Sequence, residues 1–259
     1  MLTNYHTHTF RCHHADGTER DYTEMAIRRG FKALGFSDHS PYIFNSDYYS
    51  GHRMSLAETG EYVSTIRNLA DEYKDSIELL VGYEMEYYPD LFSQTVRFVA
   101  DFGCDYLILG QHFVGNEDAY SGKTSDLQRF DRYINQTIEG LETGLFTYLC
   151  HPDLCLYTGD QSILEKGYLK LCEAAKKLDI PLELNMYGLV DGRHYPNETF
   201  FKIAASLGNT IVAGCDAHTP SRLNDPQELK DMEAFAAHCG VKIIELSVDQ
   251  VLARKSKIK

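Results

Sequence analysis

The sequence predicts an α/β fold in which parallel strands alternate with helices and close into a barrel. Short apolar, β-rich runs alternate with amphipathic stretches along the whole chain, which is the pattern of βα units. Nine side chains suited to binding metal lie at or just past the ends of these runs, and only the run PLELNM has none. No linker interrupts the alternation, so residues 1–259 are expected to form a single domain.

Seven strands are predicted from apolar runs that are rich in β-branched and aromatic residues. They lie near residues 2–6, 33–38, 77–84, 105–110, 146–150, 181–185 and 210–215. A last run, VKIIELS at 241–247, is expected to be an eighth strand or a terminal element on the barrel wall. Seven βα units in succession favour one closed barrel over two smaller domains.

Seven helices are predicted between and after these strands. They lie near residues 21–30, 57–74, 91–102, 126–143, 162–178, 197–207 and 226–239. Within 57–74, Val63, Ile66 and Leu69 recur at three-residue intervals, as on one face of a helix. Asp126 and Ser162 are expected to be N-caps, because their side-chain oxygens can accept the first free N–H groups of a helix.

Two longer loops interrupt the alternation, at residues 40–56 and 186–197. Both are rich in aromatic and turn-forming residues, and both follow the end of a predicted strand. Loops at that face of a barrel usually shape the substrate pocket, so we expect both to stand over the active site.

The composition indicates a folded protein with small-molecule partners. Hydrophobic residues make up 43% of the chain, which is ample for a core. The net charge of −13 provides no basic surface for nucleic acid and would be repelled by anionic membranes. We therefore expect neither nucleic acid nor a membrane among the partners.

Cysteine usage indicates a cytoplasmic location. The seven cysteines are odd in number and scattered, with no CxxC pair, so reduced thiols are expected rather than a disulfide framework. The N-terminal residues MLTNYHTH contain no cationic segment followed by an apolar one, and no signal peptide is expected. No stretch approaches the roughly 18 consecutive apolar residues that a membrane span requires.

The nine candidate ligands occur in short motifs at the strand ends. They are His6 and His8 in HTH, His14 in CHHADG, His39 in SDH, Glu84 in GYE, His112 in QHF, His151 in HPD, and Asp216 and His218 in GCDAH. The carboxyl ends of barrel strands meet on one face, so these side chains are expected to form one cluster. Imidazoles and carboxylates without a thiolate set suit Zn²⁺, Mn²⁺ or Fe.

The number of ligands indicates the chemistry. Nine ligands are too many for one tetrahedral zinc and sufficient for two or three divalent ions. Glu84 and Asp216 would supply at most two negative charges, so the cluster is expected to stay cationic and to attract an anion. A phosphate ester fits, because metal ions can bind its oxygens and generate a metal-bridging hydroxide as the nucleophile. A phosphomonoesterase is therefore predicted, with its general acid unknown.

These motifs, in their order and spacing, resemble the PHP (polymerase and histidinol phosphatase) family. The resemblance covers nearly the whole chain and implies a distorted (β/α)7 TIM-like barrel with a trinuclear metal site. It implies one metal on His6, His8, Glu84 and Asp216, and a second on Glu84, His112 and His151. The third would be held by His14, His39 and His218. His13 is a rival to His14, which is preferred for its place in CHHADG.

Within the family the chain is most similar to the stand-alone histidinol-phosphate phosphatases, on its length, CHHADG, RMSL at 53–56, and Asn185, Tyr195 and Pro196. This similarity implies hydrolysis of L-histidinol phosphate to L-histidinol and phosphate, in histidine biosynthesis. The amine and imidazole of that substrate are expected to meet carboxylates beyond the cluster. The segment LCLYTGD after His151 lacks basic residues that some members carry there, which leaves the exact ester open.

Several polar residues in the loops are further candidates. Arg53 and Arg193, and less strongly Arg222, could bind phosphate, while His52 or His194 could protonate the leaving group. Three alternatives remain open at this point. They are a PHP enzyme acting on another small phosphate ester, an amidohydrolase-type metallohydrolase, and a barrel retained as a binding module.

Overall fold

Eight parallel strands form one curled sheet whose order in space follows their order in the chain. The computed structural model describes residues 1–258. The strands are β1 (Thr3–Asn4), β2 (Ala33–Phe36), β3 (Glu78–Met85), β4 (Tyr106–Leu109), β5 (Phe146–Leu149), β6 (Leu182–Asn185), β7 (Ile211–Gly214) and β8 (Ile243–Ile244). All seven predicted strands are present, although most are shorter than the apolar runs that predicted them.

The seventh strand meets the first at the rim and closes the barrel. Thr7, beyond β1, forms a parallel bridge with Ala217, beyond β7. The backbone N–H of His8 donates to the carbonyl of Ala217 at 3.1 Å. At the amino-terminal end of the barrel, β8 pairs with the first residues of β7. Beside it, the hydroxyl of Tyr5 donates to the carbonyl of Leu246 at 3.1 Å. The structure is thus a distorted (β/α)7 barrel, and the run 241–247 contributes an eighth strand to its wall.

The seven predicted helices are present with their ends within two residues of prediction. They are α1 (Glu19–Arg28), α2 (Thr59–Glu72), α3 (Phe92–Asp101), α4 (Leu127–Glu142), α5 (Gln161–Lys177), α7 (Glu198–Leu207) and α8 (Pro226–Cys239), with two short helices, α6 (Met186–Val190) and α9 (Val248–Leu252). The helix α6 lies inside the segment 186–197, which was predicted to be a loop. Among residues 1–258, no helix is both long and apolar enough to cross a membrane.

Of the two predicted N-caps, Asp126 is confirmed and Ser162 is wrong. Asp126 caps α4, where its carboxylate accepts from the N–H groups of Gln128 and Arg129. Ser162 was the wrong choice, because it lies within the first turn of α5. Asp160 is the cap, and it accepts from the N–H of Ser162 at 2.7 Å. The aspartate is already in extended backbone, with φ −62° and ψ 123°, so its carboxylate can reach the free N–H groups.

The barrel interior is filled by aromatic side chains that depend on glycines in neighbouring strands. Tyr106 crosses the interior, and its hydroxyl lies 2.9 Å from the carbonyl oxygen of Tyr5 and 3.0 Å from that of Phe36. A Cβ at Gly82 would lie 2.3 Å from the Tyr106 ring, and one at Gly35 would lie 2.2 Å from its hydroxyl. These glycines let the large ring close the barrel beneath the cluster of candidate ligands.

Candidate metal centre

The nine candidate ligands surround one cavity at the carboxyl end of the strands. The cavity has a volume of about 290 Å³. Eight of the nine line it, and His6 lies beneath them in direct contact with Glu84 and Asp216. The structure therefore brings together side chains that are more than 200 residues apart in sequence. Their roles as ligands remain predictions.

Glu84, on β3, lies at the centre of the cluster. Its Oε1 is 2.7 Å from His151 Nε2 and 3.4 Å from His112 Nε2. Its Oε2 is 3.1 Å from His39 Nδ1, and 3.5 Å and 3.4 Å from the Nε2 atoms of His6 and His8. A carboxylate with imidazoles on both oxygens is placed as the predicted bridge between metals would be.

The position of Glu84 requires a glycine just past the end of β4. A Cβ at Gly110 would lie 1.9 Å from Glu84 Oε1, well inside van der Waals contact. Any larger residue at position 110 would push the carboxylate away from His151 and His112. Gly110 therefore belongs to the site although it contributes no side chain.

Asp216 is the second carboxylate in the cluster. Its Oδ1 lies 3.1 Å from His8 Nε2 and 3.4 Å from both His6 Nε2 and His218 Nδ1. The residue has φ +47°, in the left-handed region, at the point where the chain leaves β7. Functional sites often hold such backbone, and here it turns the carboxylate toward the three imidazoles.

His14, His39 and His218 form the outer part of the cluster. The His14 ring centroid lies 5.3 Å from that of His39 and 5.0 Å from that of His218. The ring of His8 lies against both of these partners, with centroids at 4.4 Å and 4.3 Å. The cluster is therefore continuous, and the division into three separate metal sites remains a prediction.

The structure distinguishes His14 from its neighbour. His14 lines the cavity, and its Nδ1 lies 2.7 Å from the carbonyl oxygen of Cys12. That contact leaves Nε2 available to a metal. His13 does not line the cavity, and its Nε2 lies 3.4 Å from the hydroxyl of Tyr49. This arrangement favours His14 as the predicted ligand.

The cluster contains both charged side chains and neutral imidazole rings. Burial raises the pKa of Glu84, but His112 and His6 lower it well below its ordinary value. Burial and the nearby positive charge of His8 lower the pKa of both His39 and His218 to about 3. Metal ions bind the neutral imidazole, so these two rings are ready to coordinate at neutral pH.

Buried polar atoms without partners show that the donor set fits metal ions. Oε2 of Glu84 and Oδ1 of Asp216 are buried, and among the residues described neither accepts a hydrogen bond. Nδ1 of His151 is also buried and makes no hydrogen bond. Both oxygens face imidazole nitrogens at 3.1–3.5 Å, and a bound cation would give each of them a partner. Imidazole and carboxylate donors around one cavity are the set that Zn²⁺, Mn²⁺ and Fe²⁺ accept.

The sequence analysis gave no role in the cluster to four polar residues that lie behind it. It placed no ligand on the sixth strand and used Asn185 only for the family resemblance, yet Glu183 and Asn185 in β6 both point to the site. Asp38 and Glu86 are buried against His8 and His112. The sequence contained a signal that could have found two of them. The glutamate and asparagine of β6 are two residues apart, so their side chains face the same side of the strand.

These residues correct the predicted charge of the site. Asp38, Glu86 and Glu183 add three buried carboxylates to the two that were counted. Glu86 is paired with Arg53, whose guanidinium nitrogen Nη1 lies 2.9 Å from its Oε2. With two or three divalent ions bound, the centre would therefore be less cationic than predicted.

The two candidate phosphate-binding arginines have different surroundings. Arg53 is buried, and its N–H groups donate to Ser50, Ser40, Glu86, Tyr88 and Glu117. Although it lines the cavity, its donors are all directed to protein acceptors. Arg193 lies at the cavity mouth and uses two N–H groups on the hydroxyls of Tyr195 and Tyr187. Of the two, Arg193 is the better placed to bind an oxyanion.

The three remaining candidates, His52, His194 and Arg222, differ in whether they reach the cavity. His52 is exposed and lines the cavity, with its ring 5.9 Å from that of Phe113. His194 is turned away, and its Nε2 lies 2.7 Å from the carbonyl oxygen of Leu154. Arg222 pairs with Asp191 and Glu228 and does not line the cavity. Only His52 of these three can reach a ligand in the cavity directly.

Comparison with known proteins finds a matching family model and relatives that align over most of the chain. A family model described as PHP domain matches residues 4–187, more than half of the chain. A probable histidinol-phosphatase of Deinococcus radiodurans is 27% identical over 231 residues, which cover 86% of this chain and 88% of that protein. The histidinol-phosphatase of Bacillus subtilis is 26% identical over 246 residues, covering 82% and 92%.

The fold is shared with a solved structure. The histidinol phosphate phosphatase of Lactococcus lactis superposes with a TM-score of 0.72 at 19% identity, covering 94% of this chain and 95% of that one. That crystal structure is described as a complex with zinc, L-histidinol and phosphate. At this identity the likeness concerns the fold, and it confirms the predicted barrel.

Proposed function

The chain belongs to the PHP domain family, and on that basis we propose that it is a metal-dependent phosphomonoesterase that hydrolyses L-histidinol phosphate to L-histidinol and phosphate. The observation that carries this proposal is Glu84, a buried carboxylate among five imidazoles whose Oε2 accepts no hydrogen bond. The two histidinol-phosphatases that align over most of the chain support the choice of substrate.

We propose that two or three divalent ions, zinc, manganese or iron, bind to the nine ligands in the grouping predicted above. Bound metal would supply Lewis acidity toward the phosphoryl oxygens and would lower the pKa of a coordinated water. The chain's own contribution is to hold the ligands. Glu84 and Asp216 both contact the Nε2 atoms of His6 and His8. The neutral rings of His39 and His218 need lose no proton to bind.

Arg193 would orient the phosphoryl group at the cavity mouth. Its guanidinium lies over the ring of Tyr187, with Cζ 4.4 Å from the centroid, and Tyr187 in turn stacks on His218 at 4.7 Å. This stack holds the cation beside the outer ligands. A charge-assisted bond from such a guanidinium to a phosphoryl oxygen would position the ester without ordering a free side chain.

The wall of the cavity corrects the expectation that carboxylates bind the cationic body of the substrate. The carboxylates lining it, Glu84, Glu86 and Asp216, all contact imidazoles of the cluster. The remaining wall is largely aromatic, with Phe113, Tyr120, Tyr187 and Tyr195. Aromatic faces attract cations and stack on imidazole rings, so we propose that they hold the amine and imidazole of histidinol.

We also propose a cytoplasmic location. All seven cysteines are free and buried in the structure, which agrees with a reducing compartment. The test is expression in the source cell followed by fractionation, with recovery in the cytoplasmic fraction expected.

Kinetic profiling of the metal-loaded enzyme tests the proposed substrate. We expect kcat/KM for histidinol phosphate to exceed that for p-nitrophenyl phosphate, although the aryl ester has the better leaving group. A panel of sugar phosphates, nucleotides and phosphotyrosine provides the comparison. Strong preference for one of these esters would reject histidinol phosphate while leaving a metallophosphoesterase. Absence of turnover on every ester by enzyme with bound metal would reject the phosphatase itself.

A further inference from the structure

Glu183 is a buried carboxylate for which the proposed function has no role so far. It lies in the middle of β6, and its side chain is 0% exposed. Full burial of a carboxylate is costly unless every lone pair has a partner. Its partners therefore indicate what the residue does.

Both oxygens of Glu183 contact predicted metal ligands. Oε1 lies 2.8 Å from Nδ1 of His6, and Oε2 accepts from the backbone N–H of His151 at 3.0 Å. The other ring nitrogen of His6, Nε2, faces the cluster, 3.5 Å from Glu84 Oε2 and 3.4 Å from Asp216 Oδ1. One carboxylate thus contacts ligands that follow two different strands.

Asn185 extends the contact to a third ligand. Its Nδ2 lies 2.9 Å from Glu183 Oε2 and 3.1 Å from Asp216 Oδ2. Its Oδ1 accepts from the backbone N–H of Gly188, so the side chain is held at both ends. Glu183 and Asn185 together connect β6 to the ligands that follow β1, β5 and β7.

A glycine on the adjacent strand makes room for this carboxylate. A Cβ at Gly214 would lie 1.8 Å from Glu183 Oε1. The relation is the same as that between Gly110 and Glu84. Both carboxylates occupy space that a neighbouring strand leaves free, and neither could keep its position beside an alanine.

We infer that Glu183 is a positioning residue of the metal centre, which holds His6 with its proton on Nδ1 and its lone pair on Nε2 directed at the cluster. The inference rests on the proposed metal centre. A carboxylate behind a ligating histidine fixes the tautomer and ring orientation and raises the basicity of the ligating nitrogen. The bond to the His151 backbone would fix the start of the segment that carries a second ligand.

Metal affinity and the tautomer of His6 test this role separately from activity. Zinc binding to the full chain would be measured by competition with a chromophoric chelator, with metal content from mass spectrometry. The His6 tautomer would be read from long-range ¹H–¹⁵N spectra of the zinc-loaded protein. Glu183→Ala should weaken the affinity for one zinc by about 10–100-fold and broaden or shift the His6 signals. Glu183→Gln keeps an acceptor oxygen and should recover part of the affinity.

Two further variants provide controls. Gly214→Ala leaves the charge of Glu183 intact but displaces its carboxylate, and should weaken zinc binding as Glu183→Ala does. Asp105→Asn removes another buried carboxylate, which pairs with Arg67 and Lys255 away from the cavity, and should leave zinc affinity unchanged. Because Glu183→Gln preserves the shape and volume of the side chain, it remains informative if Glu183→Ala or Gly214→Ala does not fold.

The outcomes separate this inference from the proposed function. A wild-type protein that binds no divalent metal would overturn both. Normal zinc binding by the wild type and by folded Glu183→Ala would overturn only the role of Glu183. Loss of one full zinc equivalent in Glu183→Gln with an unchanged His6 tautomer would also overturn it, because Glu183 would then be a ligand itself.

Discussion

The floor and the mouth of the cavity are built in different ways. At the floor, His6, Glu84 and Glu183 come from strands or their immediate ends, and each is at most 1% exposed. At the mouth, His14 and Arg193 come from loops and are exposed. Floor residues are fixed by neighbouring strands, as Gly110 and Gly214 show, whereas mouth residues are fixed by contacts between loops.

The difference has a functional meaning. A group held by strand packing has few alternative positions, so it is suited to metal ligands that must keep fixed mutual distances. A group held by loop contacts can adjust to a substrate. Loss of a ligand at the floor should therefore abolish the centre, whereas a change at the mouth should weaken substrate binding or the occupancy of one metal site.

The largest loss of bound metal and of activity is expected when Glu84, at the floor, is replaced. Glu84→Gln should lose bound metal and most of kcat, because the amide cannot bridge two cations, while the fold is retained. Circular dichroism, metal analysis and turnover measure the three quantities. Glu78→Gln, at the exposed start of the same strand, is the matched control and should behave as wild type. Near-normal metal content and turnover in folded Glu84→Gln would contradict the cluster as described.

The two loop arginines should show the next largest effects, and effects of different kinds. Arg53→Ala removes the cation from between Glu86 and Glu117 and should lower the free energy of unfolding by about 3–5 kcal/mol. Arg193→Ala should leave stability nearly unchanged and lower kcat/KM by about 10–200-fold, as expected for loss of a charge-assisted bond.

Denaturant titrations and steady-state kinetics on both proteins check this pair. Equal losses of kcat/KM without a change in stability would show that Arg53 leaves its protein partners to bind phosphate, as the sequence analysis predicted. Loss of stability in Arg193→Ala would show that the mouth is built as rigidly as the floor.

Most of the barrel could be predicted because its elements are set by local pattern. Alternating apolar runs and amphipathic stretches predicted all seven strands and all seven long helices. The cap of α5 was misplaced because Asp160 and Ser162 are both suitable residues, and only the backbone conformation decides between them. The closure of the barrel by Thr7 and Ala217 depends on residues far apart in sequence, and no local pattern contains it.

The cluster could be predicted only where polar residues interrupt an apolar pattern at its end. Glu84 and His151 do so, but Glu183 lies inside the run LELN and was missed. Arg53 was assigned to phosphate because its loop was expected over the cavity, which is where it lies. Its carboxylate partners, Glu86 and Glu117, lie 33 and 64 residues away in sequence, so its burial could not be anticipated.

The smallest effect is expected at the mouth, for the histidine pair at 13 and 14. His14 lies beside His39 and His218, while His13 is outside the cavity, so His14→Ala should lower bound metal by about one equivalent. The floor should keep its remaining metal, because none of its ligands depends on His14. His13→Ala removes the same atoms one residue away and should leave metal content unchanged. Metal analysis of both proteins after dialysis decides between them. The reverse pattern would place His13 in the centre, and loss of all metal in His14→Ala would show that floor and mouth are a single cooperative site.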